Sequence, residues 1–124
     1  IQAAVLRIKL PHLAMWNEMR RSIAHYYSSR LPSPMLLPDT LESVYHLYVI
    51  RTSNRDRLRV ALSAKGIETG LHYPVPLHKQ PAINSLLSFP VAEHAANEVL
   101  SLPCFPGLET RELDYVIAAI HASR

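Results

Sequence analysis

Three closely spaced prolines restrict one stretch of this chain more than any other feature of the sequence does. They occupy positions 74, 76 and 81 within the run 66–81. Proline fixes φ at about −65° and has no N–H to donate, so this stretch cannot continue a helix or a central strand. A loop this stiff holds side chains at fixed positions, as a binding site requires, and it presents His72, Tyr73 and His78.

Length and composition predict one globular domain. The chain has 124 residues, 48% of them apolar, and a domain of this size buries roughly two-thirds of its unfolded surface. No apolar run approaches the roughly 20 residues that span a bilayer, and no signal peptide is visible. The single Cys104 excludes an internal disulfide and is typical of a cytoplasmic protein. Because the chain starts at Ile1 inside a helical pattern, without an initiator methionine, we expect it to be a fragment.

The net charge of +3 and arginine clusters at 20–21 and 51–59 raise the question of nucleic-acid binding. Acidic and apolar residues interrupt these clusters, and the aromatic pattern of RNA-binding sheets is missing. Interspersed charges of this kind mark solvated helix faces. We therefore expect neither nucleic acid nor a membrane among the partners.

Hydrophobic periodicity predicts the elements of the first half of the chain. Apolar residues at helical spacing predict one long helix over about 10–30, with Pro11 in its first turn. Alternating β-branched and aromatic residues predict a strand over 44–51. Ser53 and Asp56 form a start signal for the next helix, which we expect to end with Gly66 in the left-handed conformation.

The second half predicts two more strands and two more helices. Alternation predicts a strand over 67–72, and the short run 100–102 predicts another. Pro90 opens a helix between them, and Thr110 caps a C-terminal helix. Short strands combined with helices predict an α/β or α+β fold, in which a small sheet is covered mainly on one face.

Metal binding and nucleophilic catalysis are both poorly supported by the sequence. His46, His72 and His78 are the candidate metal ligands, but no Cys pair or HExxH spacing accompanies them. We expect His46 to be a hydrogen-bonded structural residue inside its apolar strand. Ser101 and Cys104 lack a glycine elbow and a recognisable base. We therefore assign no catalytic, metal-binding or cofactor-binding residue.

The two histidines of the proline loop have a stronger claim to contact a ligand. Near pH 7 an imidazole can donate a hydrogen bond to a phosphate, a sugar hydroxyl or a carboxylate. Tyr73 adds an aromatic ring between them in the sequence. The alternative is that Tyr73 and the prolines only plug the end of the sheet.

A series of ordered motifs resembles the C-terminal part of the DegT/DnrJ/StrS aminotransferases. The motifs extend over essentially the whole chain. They are Gln2-Ala-Ala…Lys9-Leu-Pro…Trp16-Asn…Arg21, His46-x-Tyr48-x-Ile-Arg51, Gly66-Ile-x-Thr69-Gly-x-His72-Tyr-Pro-x-Pro76-x-His78-x-Gln-Pro81, Phe89-Pro-x-Ala-Glu93, Leu100-Ser-Leu-Pro-x-Phe-Pro106 and Asp114-Tyr-Val.

The resemblance implies the small domain of an aspartate-aminotransferase-like fold, with a short, mainly antiparallel sheet. It further implies a homodimeric, pyridoxal-phosphate-dependent enzyme of polysaccharide or antibiotic sugar biosynthesis, which moves an amino group from glutamate to a nucleotide-linked keto-sugar. The Schiff-base lysine lies in the family's larger N-terminal domain, so we expect the fragment to be inactive and without bound cofactor. The substrate-side contacts carried over to this sequence are His72, Tyr73, His78 and, as a phosphate contact, Lys79.

The same resemblance divides the chain and leaves two other functions open. We expect residues 1–124 to form one C-terminal small domain, in which the helical segment 1–31 leads to the absent large domain and 44–124 forms the strand and helix sandwich. One alternative is a non-catalytic, truncated module whose proline loop binds a small anion or sugar. The other is a pyridoxal-phosphate-dependent sugar dehydratase, related to the aminotransferases.

Overall fold

The computed structural model describes residues 1–38, 42–83 and 85–123. Five α-helices and two strands are formed in this part of the chain. In chain order they are α1 (Gln2–Lys9), α2 (Leu13–Ser28), β1 (Tyr48–Arg51), α3 (Arg55–Ser63), α4 (Pro90–Glu98), β2 (Val99–Leu102) and α5 (Thr110–His121). Single 3-10 turns occupy Leu10–His12, Ser33–Met35 and Leu77–Lys79.

The two strands form an antiparallel sheet that two isolated bridges widen on either side. Ile50 on β1 is paired with Leu100 on β2. Leu36 bridges to β1, and Gly70 bridges to Ser101 on β2, both in antiparallel fashion. The α/β fold class and its short antiparallel sheet are therefore as the sequence predicted.

The hydrophobic core lies between one face of this sheet and helices α2, α3 and α5. Ile50 and Leu100 supply the sheet side of the core, and both are fully buried. Tyr27 on α2, Leu62 on α3 and Ile120 on α5 are fully buried against them in the same cluster. Full burial of a side chain of this size contributes roughly 1.5–3 kcal/mol, so these positions dominate the stability of the domain.

The long helix predicted for residues 10–30 is confirmed as α2, which spans Leu13–Ser28. Helix α1 already begins at Gln2, and a 3-10 turn at Leu10–His12 separates it from α2. Pro11 lies in this turn and has no N–H, so the α-helical hydrogen-bond ladder is interrupted there. The chain resumes regular α-helix at Leu13, where the backbone N–H donates to the Leu10 carbonyl.

The strand predicted for residues 44–51 is only half formed, and the placement of His46 was wrong. Regular pairing begins at Tyr48, and His46 lies exposed in a bend before β1. Tyr45 has a positive φ of 46°, which an extended strand cannot accommodate. His46 is therefore a solvent-exposed residue and not a buried structural histidine.

Gly66 ends the α3 region as predicted. Its φ is +73°, and the Gly66 N–H donates to the Ser63 carbonyl while the Ile67 N–H reaches back to Leu62. This pair of bonds is the Schellman arrangement, which satisfies the last carbonyls of a helix. The start predicted for α3 at Ser53 was one residue early, because Asn54 is the N-cap. The Asp56 carboxylate pairs with Arg55.

Two other local predictions were wrong. The strand expected over 67–72 is reduced to the single bridge at Gly70, since the prolines that follow prevent further ladder pairing. Thr110 is the first residue of α5, and Glu109 is its N-cap. The Glu112 carboxylate accepts a hydrogen bond from the Glu109 N–H at 2.8 Å, which is half of a capping box.

None of the helices among residues 1–38, 42–83 and 85–123 combines the length and apolar character that crossing a membrane requires.

Replacing Gly66 by alanine tests this helix end. A Cβ at this position has open space around it, so the cost comes from the backbone conformation and not from a clash. We expect Gly66→Ala to lower the free energy of unfolding by about 1–2 kcal/mol, measured by urea denaturation. The exposed Ser63→Ala on the same helix serves as control and should change it by less than about 0.5 kcal/mol. Equal stability of the two variants would contradict the assignment.

Candidate functional site

The proline loop follows the Gly70 bridge and ends where α4 begins at Pro90. Gly70, which directly precedes the loop, is held to β2 by two backbone hydrogen bonds. They run from Gly70 N–H to the Ser101 carbonyl at 3.0 Å and from Ser101 N–H to the Gly70 carbonyl at 2.9 Å. Further along, the Gln80 side chain donates to the Val75 carbonyl at 3.1 Å. Hydrogen bonds therefore fix the start of the loop to the sheet and connect two positions within the loop.

His72 lies exposed on this loop with one ring nitrogen anchored. Its Nδ1 is 2.9 Å from the hydroxyl oxygen of Ser101, which is buried on β2. The neighbouring Tyr73 is 72% exposed, its ring stands edge-on to the imidazole with centroids 5.6 Å apart, and the peptide bond between the two residues is cis. The hydrogen bond to Ser101 thus orients the His72 imidazole, whose exposed side remains accessible to a ligand.

Gly70 leaves the space that the His72 ring occupies. A Cβ built on Gly70 would lie 2.3 Å from the imidazole Cε1, far inside van der Waals contact. The φ of Gly70 is not in the left-handed region, so glycine is needed here for space and not for backbone conformation. Any larger residue must displace the ring from Ser101.

A groove of about 840 Å³ opens beside His72. Its floor includes Ser101, and its walls come from the segment 66–70, from the turn before α5 and from α5 itself. The side chains that line it combine apolar surface with charged and hydroxyl groups: Thr69, Phe105, Leu108, Arg111, Glu112 and Tyr115. This size and mixture of groups suit a ligand with both an apolar and a polar part.

His78 lies in a different environment from His72. It is 8% exposed, its Nε2 lies 2.9 Å from Glu93 Oε1 on α4, and the Phe89 ring packs edge-on against it at a centroid distance of 4.9 Å. The Lys79 ammonium is 3.8 Å from the same carboxylate oxygen and half exposed.

The Glu93 carboxylate holds this second group together. Oε1 also accepts the Phe89 backbone N–H at 3.0 Å. That backbone hydrogen bond, together with the one from His78, lowers the pKa of Glu93 below its ordinary value. The ionised carboxylate thus joins the 3-10 turn of the loop to the first turn of α4.

The predicted site residues therefore form two pairs. His72 and Tyr73 are in contact and exposed near the groove, whereas His78 and Lys79 meet at Glu93. Ligand contacts for all four residues remain predictions, and the burial of His78 gives it a less direct access to solvent than the other three have.

Three residues of the site were missed at the level of sequence. Ser101 had been considered only as a nucleophile, and Gly70 and Glu93 had been noted only as motif positions. The signal for Glu93 was its place in the first turn after Pro90, where a carboxylate finds free N–H groups. No comparable local signal marks Ser101, whose partner lies 29 residues away.

Nucleophilic and metal chemistry find no support in the part of the chain that the structure describes. Cys104 is half-buried and its Sγ lies 3.6 Å from the Tyr45 carbonyl oxygen. Burial raises the pKa of Cys104 to about 11, so the reactive thiolate is scarce at neutral pH. Within residues 1–38, 42–83 and 85–123, no three His, Cys, Asp or Glu side chains come together as a metal site would require.

Comparison with known proteins identifies the family. Residues 1–121 match the profile of the DegT/DnrJ/EryC1/StrS aminotransferase family. The chain belongs to this family.

Relatives in the DegT/DnrJ/EryC1/StrS family include sugar transaminases. The chain is 45% identical to the dTDP-3-amino-3,4,6-trideoxy-alpha-D-glucose transaminase of Streptomyces venezuelae, over 97% of this chain and 34% of that protein. It is also 45% identical to the erythromycin biosynthesis sensory transduction protein EryC1 of Saccharopolyspora erythraea, over 98% of this chain and 36% of the relative. The crystal structure of S. venezuelae DesV in complex with a ketimine intermediate superposes with a TM-score of 0.90 at 45% identity, covering 98% of this chain and 35% of that one.

The chain thus spans about a third of the length of these family members. Aminotransferases of this family depend on pyridoxal phosphate, which a lysine holds as a Schiff base in a desolvated or cation-rich pocket. Lys9 on α1 and Lys65 after α3 are exposed, and Lys79 is half exposed beside a carboxylate. These exposed positions do not fit a Schiff-base site.

Gly70→Ala tests whether glycine at this position sets the His72 ring. We expect the ring to leave Ser101, and because the displaced group is a side chain, the free energy of unfolding should fall by less than about 1 kcal/mol. The measurement is the ¹⁵N NMR spectrum of the histidine rings, combined with denaturation. Gly66→Ala is the matched control, with reduced stability and unchanged His72 resonances. Unchanged His72 resonances in Gly70→Ala would overturn the assignment.

Proposed function

We propose that this chain is the C-terminal small domain of a pyridoxal-phosphate-dependent aminotransferase that moves an amino group from glutamate to a nucleotide-linked keto-sugar. The observation that supports this most directly is the rigid, exposed His72–Tyr73 pair, fixed to the sheet through Ser101 beside a large groove. A relative of 45% identity that is a dTDP-sugar transaminase supports the proposed substrate class.

In this proposal the loop supplies substrate-side contacts. The free Nε2 side of His72 and the exposed ring of Tyr73 contact the sugar nucleotide, and the Lys79 ammonium offers a positive charge to a phosphate. His78 stands behind them, and its contribution depends on the Glu93 contact. These residues act by orienting the substrate and excluding water, which accelerates a reaction without covalent participation.

The covalent chemistry is assigned to polypeptide outside this chain. Pyridoxal phosphate, when bound, supplies the electron sink for transamination, and the lysine that holds it belongs in the proposed larger N-terminal domain. Helix α1 has no buried residue and exposes Val5, Leu6 and Ile8, which supports a role of segment 1–31 as the connection to that domain. We propose that the complete enzyme is a cytoplasmic homodimer.

The isolated chain tests the division of labour. Because its lysines are exposed or paired, incubation with pyridoxal phosphate and borohydride should give only slow, scattered labelling of Lys9, Lys65 and Lys79. Peptide mapping by mass spectrometry reads out the sites. Stoichiometric labelling of one lysine, together with transamination by the isolated chain, would refute the proposal.

His72→Ala in the complete enzyme tests the substrate contact. Loss of one hydrogen bond to a charged group corresponds to about 1.5–3 kcal/mol, so kcat/KM for the sugar nucleotide should fall by at least about tenfold. The absorbance of bound pyridoxal phosphate should remain unchanged. His94→Ala removes an exposed imidazole from α4 and serves as the control, with near-normal kinetics. Parallel loss of cofactor and activity in His72→Ala would indicate a folding role.

A further inference from the structure

The hydrogen bond between His78 and Glu93 fixes which ring nitrogen holds the proton. An ionised carboxylate only accepts hydrogen bonds. Glu93 Oε1 already accepts the Phe89 N–H, and its pKa is lowered by that contact and by His78. The His78 Nε2 at 2.9 Å must therefore be the donor. In the neutral imidazole this leaves Nδ1 without a proton, as an acceptor.

The second ring nitrogen of His78 reaches solvent even though the residue is buried. Among the described residues, no side-chain nitrogen or oxygen is both buried and without a hydrogen-bond partner. The hydrogen bond of the His78 ring is the one from Nε2 to Glu93. Because Nδ1 has no such bond, it is not fully buried.

The ring is also fixed in direction. Phe89 packs edge-on against the His78 ring and restricts the side chain. The His78 carbonyl accepts the Ser85 N–H at 2.9 Å, which restricts the backbone. The imidazole therefore holds Nδ1 at a fixed position in a largely buried residue.

We infer that Glu93 is a positioning residue that locks the His78 tautomer, so that His78 Nδ1 accepts a hydrogen bond from a hydroxyl group of the sugar in the substrate. The inference rests on the proposed function for the identity of the substrate, and it assigns separate parts of that substrate to adjacent residues. The Lys79 ammonium beside Glu93 offers charge to a phosphate, whereas an ionised phosphate has no proton to give to Nδ1. A ring nitrogen without a proton accepts a hydrogen bond, so it selects a hydroxyl.

The tautomer is measured directly by ¹⁵N NMR of the complete enzyme labelled with ¹⁵N-histidine, at about pH 8, above the ordinary histidine pKa near 6.5. His78→Gln identifies the resonances. We expect one tautomer, with a protonated Nε2 whose proton exchanges slowly with water. In Glu93→Ala that proton should exchange at least tenfold faster. Glu93→Gln retains an acceptor oxygen and should preserve most of the protection.

Glu98→Gln is the matched control. It removes a carboxylate from the same helix, one that pairs with Arg51 and not with the loop, and it should leave the His78 spectrum unchanged. A wild-type ring protonated on Nδ1 overturns the inference without any variant. Slow exchange that persists in a folded Glu93→Ala protein overturns the role of Glu93.

The hydroxyl contact is tested with dTDP-glucose and with dTDP as probes. We expect dTDP-glucose to move the Nδ1 resonance of the wild-type enzyme and dTDP to leave it in place. KM for the sugar nucleotide should rise about tenfold in Glu93→Ala, with a smaller change in kcat and partial recovery in Glu93→Gln. Equal shifts with both probes, or no shift when dTDP-glucose is bound, would overturn the contact. An enzyme that binds neither these two compounds nor the corresponding UDP compounds contradicts the proposed function, while the unliganded spectrum still decides the tautomer.

Discussion

The double hydrogen bond between Gly70 and Ser101 is the contact on which the candidate site depends. It attaches the loop to the sheet at the last point where the chain can still pair, before the prolines exclude further ladder bonds. The buried Ser101 then uses its hydroxyl to orient His72. One residue of β2 thereby fixes both the backbone path and a side-chain direction, and the absence of a Cβ at Gly70 gives the imidazole its place.

The two histidines of the loop differ in the hydrogen bonds that they can make, because their partners differ. His72 is anchored through Nδ1 by a neutral hydroxyl and is otherwise exposed. His78 is anchored through Nε2 by a carboxylate and is mostly buried. A hydroxyl can donate or accept, so His72 can adapt its tautomer to a ligand, whereas a carboxylate imposes one tautomer. His72 can therefore offer a ligand either a donor or an acceptor, whereas His78 offers only one of the two.

Sequence reasoning succeeded where one local signal was unopposed, and it failed where two local signals competed or where distant contacts decided the structure. The fold class, the helix end at Gly66 and the helix start at Pro90 follow from properties of the residues themselves. The chain geometry around His46 and the truncated pairing after Gly70 do not, because a turn or a proline overrides an alternating pattern. In the site, the loop was recognisable from its prolines. Its anchors were not, since Ser101 and Glu93 lie 29 and 15 residues from the histidines that they hold.

A segment of this kind is suited to setting specificity, because its rigid parts and its ligand-facing parts are separate. The core of α2, α3, α5 and the sheet is closed without any contribution from the exposed tips of the loop. Substitutions at Tyr73 or Lys79 therefore change what the loop offers to a ligand at little cost in stability. Substitutions at Ser101 or Glu93 alter how the imidazoles are held. Family members act on different nucleotide sugars. We therefore expect residues at the positions of Tyr73 and Lys79 to differ between members with different substrates. Residues at the positions of Ser101 and Glu93 should keep the two imidazoles in the same orientation.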